Sequence, residues 1–385
     1  MTDALHEGDN LVAVRYDNRY KASSRWYTGE GINRNVWLHE VSDLRVDRYG
    51  TFVSTPRILP DSARVEIETT VCNDRADSVV CTVVSEILSP AGGTVAVRRS
   101  VVPMAGGSRF TFRQQAWVRD PQLWDTEAPQ LYTVRTRIGD GSRRTDLYET
   151  PFGIRDVEMS PEEGLKLNGR KVFVKGVCLH HDLGPLGAAV NVSALRRQLS
   201  ILKEMGANAV RTAHNIPAPE LVELCDRKWL MVMVETFDEW RTPKMKNGYH
   251  LYFDEWAERD LVNTVRRFRN HPSVVMWCIG NEVPDQSSYE GAKIARWLQD
   301  ICHREDPTRL VTMGIDRVQD AIDTHFAAVM DVLGFNYRTH LYTKAYHELP
   351  QQIMMGSETA STFSSRGTYH FPVERTVNKV RPDNQ

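Results

Sequence analysis

Two glutamates in the second half of the chain each close a short apolar run, in a setting that suits acid/base and nucleophilic chemistry. Glu282 follows the run that begins at Val274, and Glu358 follows the run that begins at Ile353. Such runs are typical of buried parallel strands, and the carboxyl ends of these strands carry the chemistry in a (β/α) barrel. Two carboxylates at one rim could cleave a glycosidic bond, one by protonating the leaving oxygen and the other by attacking the sugar.

Other polar side chains follow other predicted strands. Arg211 ends the second strand, where a guanidinium can hold Glu358 ionised through forked hydrogen bonds, although an ordinary ion pair is the alternative. His180, His181 and His214 follow the first two strands, and imidazole can both donate to and accept from hydroxyl groups. Structural histidines and a metal site are the alternatives for this cluster. The chain lacks the H-E-x-x-H signature of catalytic zinc sites.

The elements that must position these residues alternate between strand and helix from about residue 151 onward. The apolar pattern predicts parallel strands at 172–179, 209–212, 230–236, 274–279, 310–314, 332–336 and 352–357. It predicts helices at 193–205, 219–228, 253–269 and 288–302, with Ser193 as the N-cap of the first. We therefore expect residues 151–385 to form an incomplete (β/α)8 TIM barrel with seven visible strands.

Two β-rich segments precede the barrel. Residues 55–150 contain alternating apolar and polar runs separated by turn sequences, which predicts an immunoglobulin-like β-sandwich. Residues 1–54 contain shorter strand-like runs at 11–16 and 36–41, too few for an independent sandwich. We interpret this first segment as the last part of a larger β domain.

Composition narrows the class of protein. The chain has 385 residues, 41% of them hydrophobic, and a formal charge of −2, so it gives no reason to expect a nucleic-acid or membrane partner. No apolar run approaches the roughly 18 residues of a membrane-spanning helix. The N-terminus lacks a signal-peptide pattern, and the sequence does not indicate whether the protein is cytoplasmic or periplasmic. Cys72 and Cys81 could meet across two strands or, as is commoner, stay free and buried.

The ordered motifs resemble those of glycoside hydrolase family two, the family of β-galactosidases, β-glucuronidases and β-mannosidases. Six segments in the barrel region carry the resemblance: KGVCLHHD at 175–182, VRTAHN at 210–215, ETFDEW at 235–240, NHPSV at 270–274, WCIGNE at 277–282 and MGSE at 355–358. Upstream, SRWYTGEGINRNVWL at 24–38 resembles the end of the family's N-terminal sugar-binding jelly roll. The motifs are most similar to those of bacterial β-galactosidases.

The resemblance implies a role for each residue of the site. Glu282 is expected to be the general acid/base, and Glu358 the nucleophile of a retaining mechanism with a covalent glycosyl-enzyme. The residues expected to bind or orient the substrate are Arg211, His214, His180, Asn281 and Tyr337.

Two of these expectations are specific. The amide of Asn281 is expected to bond the 2-hydroxyl of the sugar. Tyr337 is expected to hydrogen-bond Glu358, with a plain aromatic at the barrel rim as the alternative. Three residues that follow the third strand could also line the pocket, namely Asp238, Glu239 and Trp240.

The resemblance also has implications for the substrate, for the cofactors and for how much of the family's fold the chain contains. It implies a substrate with a terminal β-galactoside, with β-glucuronides and β-mannosides as alternatives, and a homo-oligomer is possible. No cofactor is expected. Some relatives hold magnesium, but its ligands cannot be matched in this sequence. Most of the jelly roll and the last barrel strand have no counterpart in the chain, so an inactive carbohydrate-binding fragment is a further alternative.

Overall fold

The structure is a computed structural model that describes residues 4–17, 19, 23–25 and 31–360. A β-sandwich comes first, a small antiparallel sheet follows it, and a curled parallel sheet with helices around it makes up the rest. The fold is therefore a sandwich followed by an incomplete TIM barrel, as the sequence predicts.

The sandwich consists of two antiparallel sheets whose inner faces form its core. One face of each strand is buried because apolar residues alternate with polar ones, so that Val65 and Ile67 pack with Val134 and Phe152 of the opposite sheet. The first sheet contains β1 (Leu44–Leu59), β2 (Ser62–Asn73) and β5 (Ser108–Arg119). The second contains β3 (Val79–Leu88), β4 (Thr94–Met104), β6 (Tyr132–Gly139) and β7 (Arg144–Phe152).

The predicted domain boundaries at 54/55 and 150/151 are wrong. Strand β1 runs through residues 54 and 55 and pairs with β2 on both sides of that point. A register shift between Ser54 and Arg57 interrupts the alternation there, which made the strand resemble two segments. At the other end, Phe152 and Ile154 are buried in the sandwich core. The sandwich therefore extends from Leu44 to Ile154.

The strands predicted at 11–16 and 36–41 are also wrong. The described residues among 4–43 form no strand, and the side chains of Leu11 and Leu38 are 95% and 83% exposed. Alternation alone does not make a strand, because the backbone groups need a neighbouring strand for their hydrogen bonds. The partial jelly roll is thus not seen in the part of this segment that the structure describes.

A small three-stranded sheet packs against the amino-terminal ends of the barrel strands. It contains β8 (Val157–Ser160), β9 (Gly164–Leu167) and β10 (Arg170–Lys171). Met159 and Leu165 of this sheet contact Met231 and Val275 of the barrel. This packing leaves the opposite, carboxyl-terminal ends of the barrel strands for the site.

Within the described residues, the barrel sheet contains seven parallel strands in sequence order. They are β11 (Gly176–Leu179), β12 (Ala209–Thr212), β13 (Met231–Glu235), β14 (Val274–Asn281), β15 (Leu310–Ile315), β16 (Val332–Asn336) and β17 (Met354–Glu358). The sheet is curled, so that its two edge strands approach each other. Cys178 Sγ of β11 lies 3.5 Å from the carbonyl oxygen of Ser357 in β17.

In the part of the barrel that the structure describes, six α-helices follow the strands and bury their apolar faces against the sheet. They are α1 (Val192–Glu204), α2 (Pro219–Lys228), α3 (Phe253–Phe268), α4 (Tyr289–Glu305), α5 (Val318–Asp323) and α6 (Tyr342–Glu348). The N-cap of α1 is Asn191, whose side chain accepts from the amide of Ala194, and not the predicted Ser193. None of the helices in the described ranges is long and apolar enough to cross a membrane.

Hydrogen bonds between side chains of one unit and backbone groups of the other hold the sandwich against the barrel. The side chain of Asn270 accepts from the amide of Val53 at 2.8 Å and donates to the carbonyl of Thr51 at 2.8 Å. Trp124, which is fully buried, donates to the carbonyl of Asp226 at 2.9 Å. All six cysteines are free, so the disulfide alternative for Cys72 and Cys81 is excluded.

Candidate active site

The carboxyl ends of five barrel strands bring their polar residues to one rim. Because neighbouring parallel strands point the same way, residues far apart in the chain meet there. The residues that meet are Arg211 of β12, Glu235 of β13, Asn281 of β14, Asn336 of β16 and Glu358 of β17, with Glu282 directly after β14.

Glu282 and Glu358 face each other across a single amide group. Nδ2 of Asn336 donates to Glu282 Oε1 at 3.1 Å and to Glu358 Oε2 at 3.3 Å. The sum of these lengths, about 6.4 Å, is the upper limit on the separation of the two oxygens. The structure thus brings the two predicted catalytic carboxylates together. Asn336 was missed from sequence, and its place beside Tyr337 at a strand end was the available signal.

Both carboxylate oxygens of Glu358 accept hydrogen bonds. The hydroxyl of Tyr337 donates to Oε1 at 2.5 Å, and Nη1 of Arg211 donates to Oε2 at 3.1 Å. The predicted Tyr337 contact is therefore confirmed. Arg211 is near Glu358 as predicted, but the prediction of a forked pair of hydrogen bonds is wrong, since Nη1 alone donates to Glu358. Its Nε instead donates to Glu235 at 2.6 Å and its Nη2 to Asn281 at 2.9 Å, and its Nη1 also donates to the carbonyl oxygen of Ser357 at 3.3 Å. The guanidinium is therefore shared among several partners.

Glu235 is a buried anion that supports this arrangement. Its side chain has 0% exposure and accepts from Arg211 at 2.6 Å and from Nδ1 of His214 at 2.7 Å. Burial raises the pKa of Glu235, but the charges of Arg211 and His214 outweigh it and hold that pKa below its usual value. The sequence motif contained Glu235 without revealing this role, because the pairing depends on two neighbouring strands.

The acid/base candidate sits on a strained turn. Glu282 has a φ of 44°, in the left-handed region that side chains rarely adopt. Its amide donates to the carbonyl of Gly314 at 2.7 Å, which holds the turn against β15. The preceding Asn281 is fully buried, and its oxygen accepts from Asn336 at 2.9 Å. The predicted bond from Asn281 to a sugar hydroxyl stays a prediction.

The predicted histidines border the carboxylates. Nε2 of His214 lies 3.8 Å from Glu358 Oε2 and 3.3 Å from Nε2 of His180. Burial and the neighbouring His214 lower the pKa of His180, which favours its neutral form. His181 instead contacts the carbonyl of Ala188 at 3.1 Å. His180 and His214 are thus placed as predicted, while their contact with sugar hydroxyls stays a prediction.

A cavity of about 370 Å³ is lined by His214, whose Nε2 lies 3.8 Å from Glu358 Oε2, but Glu282 and Glu358 do not themselves line it. His180 and His214 line one side, Phe237 and Tyr249 stack at 5.3 Å between centroids near another, and Asp238 lies at its border. Its volume lies within the range of about 300–1,000 Å³ typical of small-molecule sites. An aromatic wall with nearby hydrogen-bonding groups suits a sugar.

The three residues after the third strand that could line the pocket, Asp238, Glu239 and Trp240, have different roles in the structure. Asp238 lines the cavity. Glu239 also borders it, but its carboxylate mainly accepts from backbone amides, including those of Lys244 at 2.7 Å and His250 at 2.9 Å, and so holds the following loop. Trp240 is fully buried and donates to the carbonyl of Ile279 at 2.9 Å. The prediction that Trp240 lines the pocket is therefore wrong, since its ring belongs to the core.

Among the residues that the structure describes, no group of three histidine, cysteine or acidic side chains is arranged to hold a metal ion.

Gly314 lies so close to the polar network that an added methyl group would disturb it. A Cβ at this position would lie 2.7 Å from Arg211 Nη2 and 2.8 Å from Asn336 Oδ1. We expect Gly314→Ala to lower the free energy of unfolding by about 1–3 kcal/mol, because overpacking a buried site forces its neighbours apart. Urea denaturation measures this change.

The matched control is Gly93→Ala, where the nearest atom to an added Cβ is Ser89 Oγ at 3.6 Å. This substitution should change stability by less than about 0.5 kcal/mol. Equal stability of the two variants would contradict the close packing around Gly314.

A β-sandwich that leads into a parallel barrel, with two carboxylates facing each other at the carboxyl rim, is the architecture of a glycoside hydrolase. The comparisons with known proteins agree. The model described as "Glycosyl hydrolases family 2, TIM barrel domain" matches residues 157–368, and the model "Glycosyl hydrolases family 2" matches residues 49–155. The chain belongs to glycosyl hydrolases family 2.

Similar proteins include enzymes named for two sugars. The β-galactosidase BoGH2A of Bacteroides ovatus is 39% identical over 95% of the chain and 47% of its own length. A putative β-glucuronidase of Formosa agariphila is 33% identical over 95% of the chain and 33% of its own length. A crystal structure of a family 2 member from Bacteroides cellulosilyticus has a TM-score of 0.85 and 36% identity, covering 88% of the chain and 44% of that protein. The chain thus spans half or less of these relatives.

Proposed function

We propose that the chain carries the catalytic centre of a retaining β-glycosidase, with Glu358 as nucleophile and Glu282 as general acid/base. The observation that carries this proposal is the amide of Asn336, which bonds both carboxylates and keeps their facing oxygens within about 6.4 Å. Retaining enzymes have carboxyl groups about 5–5.5 Å apart, and inverting enzymes about 6.5–9.5 Å. The limit applies to one oxygen of each carboxyl group, so it supports their action on one glycosidic bond, and the family resemblance of the sequence motifs is what supports retention.

In the first step, an oxygen of Glu358 forms a bond to the anomeric carbon while the bond to the leaving oxygen breaks. Glu282 delivers its proton to that oxygen, which is a poor leaving group without it. Tyr337 and Arg211 orient the attacking carboxylate from its two oxygens. In the second step, Glu282 accepts a proton from water, the water oxygen bonds the anomeric carbon, and the ester to Glu358 breaks.

The substrate that we propose is a terminal β-galactoside. The sequence motifs and the 39% identity to a protein named β-galactosidase support it. A β-glucuronide is the second candidate, supported by the 33% identity to a protein named as a putative β-glucuronidase, and a β-mannoside is the third. A panel of 4-nitrophenyl β-glycosides of the three sugars decides among them. Turnover of none of them would favour the carbohydrate-binding fragment instead.

Substitution of Glu282 should affect substrates according to their leaving groups. Glu282→Gln is expected to lower kcat/KM about 10²- to 10⁴-fold for a disaccharide, whose leaving alcohol needs a proton. An aryl glycoside with a strongly acidic phenol needs no such proton, so its kcat/KM should fall far less. The measurement compares kcat/KM for both substrates in the wild type and the variant. Equal losses on the two substrates would count against the acid role.

A further inference from the structure

One cation of the N-terminal segment reaches the rim of the barrel. Arg25 lies 257 positions before Glu282, yet its Nη1 donates to Glu282 Oε2 at 3.4 Å. Its Nη2 donates to Asp238 Oδ1 at 3.0 Å. The same oxygen of Asp238 accepts from Lys244 Nζ at 2.8 Å. We call Arg25, Lys244, Asp238 and Glu282 the charge cluster.

The charge cluster contains two basic and two acidic side chains in mutual contact. Burial raises the pKa of Asp238, but Lys244 and Arg25 hold it below its usual value, so Asp238 is an anion. Lys244, whose side chain is 8% exposed, is bound to Asp238 and to the carbonyl oxygen of Asn281. Arg25 therefore lies between two acidic side chains, Asp238 at 3.0 Å and Glu282 at 3.4 Å.

We propose that Arg25 is a positioning residue for Glu282 in the half-reaction where Glu282 acts as a base. This inference rests on the proposed function. In that half-reaction a water O–H bond breaks and its proton passes to the Glu282 carboxylate. The water oxygen then bonds the anomeric carbon, and the ester electrons return to Glu358. Arg25 orients the carboxylate in its ionised form through Oε2, which leaves Oε1 toward Asn336 and the reacting centre.

The test compares the effects of a substitution on kcat and on kcat/KM. A positioning role in the second step lowers kcat alone, whereas a structural role lowers both. The substrate is a 2,4-dinitrophenyl β-glycoside of the accepted sugar, whose first step needs no proton, so that the second step limits kcat. Arg25→Ala should lower kcat about three- to tenfold, as expected for loss of one hydrogen bond of ordinary strength, because the contact with Glu282 is long at 3.4 Å, and leave kcat/KM within twofold. Sodium azide should restore kcat, because azide attacks without a base. Arg25→Lys should retain most of the wild-type kcat.

Arg15→Ala is the control, because Arg15 is on the same segment, is 83% exposed and pairs with Asp17. It should leave both constants unchanged. Equal losses of kcat and kcat/KM in Arg25→Ala without an azide response would show a structural role and overturn the proposal. Unchanged kinetics would overturn it as well.

A second measurement needs no turnover. In a double-mutant cycle on the melting temperature, Arg25→Ala and Asp238→Asn should lower Tm by less together than the sum of their separate effects, because they remove the same ion pair. Additive losses would overturn the pairing itself. Absence of turnover by the wild-type chain would refute the proposed function and the catalytic part of this inference. Non-additive losses would then leave Arg25 only as a link between the segment and the barrel.

Discussion

Glu358→Gln should abolish turnover, with a loss of about 10⁴- to 10⁶-fold in kcat, the range seen when a catalytic nucleophile or its partners are removed. An amide carries no negative charge and is too weak a nucleophile to form the glycosyl ester. The substitution also places an NH2 group beside the hydroxyl of Tyr337 or the guanidinium of Arg211, both of which donate to Glu358. Initial rates at saturating aryl glycoside measure the loss.

A second readout addresses the covalent step directly. A 2-deoxy-2-fluoro glycoside with an acidic leaving group should add one sugar mass to the wild-type chain and none to Glu358→Gln. Glu348→Gln is the matched control, because it makes the same change on an α6 side chain that is 42% exposed, and it should keep kcat within twofold. Near-normal turnover by Glu358→Gln would refute the nucleophile assignment.

Arg211→Met should lower the free energy of unfolding by about 3–5 kcal/mol, because it leaves the fully buried Glu235 without its guanidinium. The same substitution should lower kcat/KM by about 10²- to 10³-fold, a typical cost of removing one donor from a preorganised site. The reason is that Glu358 loses the donor on Oε2 and Asn281 loses the donor on its oxygen. Urea denaturation and aryl glycoside kinetics measure the two effects.

The double variant Arg211→Met with Glu235→Gln separates the two effects. It removes the unpaired charge, so it should recover part of the lost stability while activity stays low. Arg196→Met on the exposed face of α1 is the control and should change stability by less than about 0.5 kcal/mol. If Arg211→Met were as stable as the wild type, the buried ion pair would not have the role that its geometry indicates.

The hydrogen bonds that join Arg211, Glu235 and Glu358 explain how the site accommodates buried charges. Arg211 and Glu235 are 4% and 0% exposed, and each is bonded to more than one partner. A buried charge is costly unless it is paired and its remaining hydrogen-bonding capacity is used. Here the pairing also orients Glu358, so stability and catalysis depend on the same contacts.

The barrel elements were predictable because their signals are local in the chain. The bounds predicted at 209–212, 332–336 and 219–228 coincide with β12, β16 and α2. Buried parallel strands are short apolar runs, and helices repeat their apolar residues every three or four positions. The meeting of Glu282 and Glu358 was predictable as well, since both lie at the carboxyl ends of strands that run in the same direction.

Only the tertiary structure decided which side chains join the carboxylates. Asn336, Glu235 and Arg25 contact the site through partners that lie 21 to 257 positions away in the chain. Sheet curl and strand register set these contacts, and a periodic pattern of apolar residues contains neither. The same reason explains the wrong strands at 11–16 and 36–41. Their alternation is present in the sequence, but a strand forms only where a second strand meets its hydrogen-bonding groups.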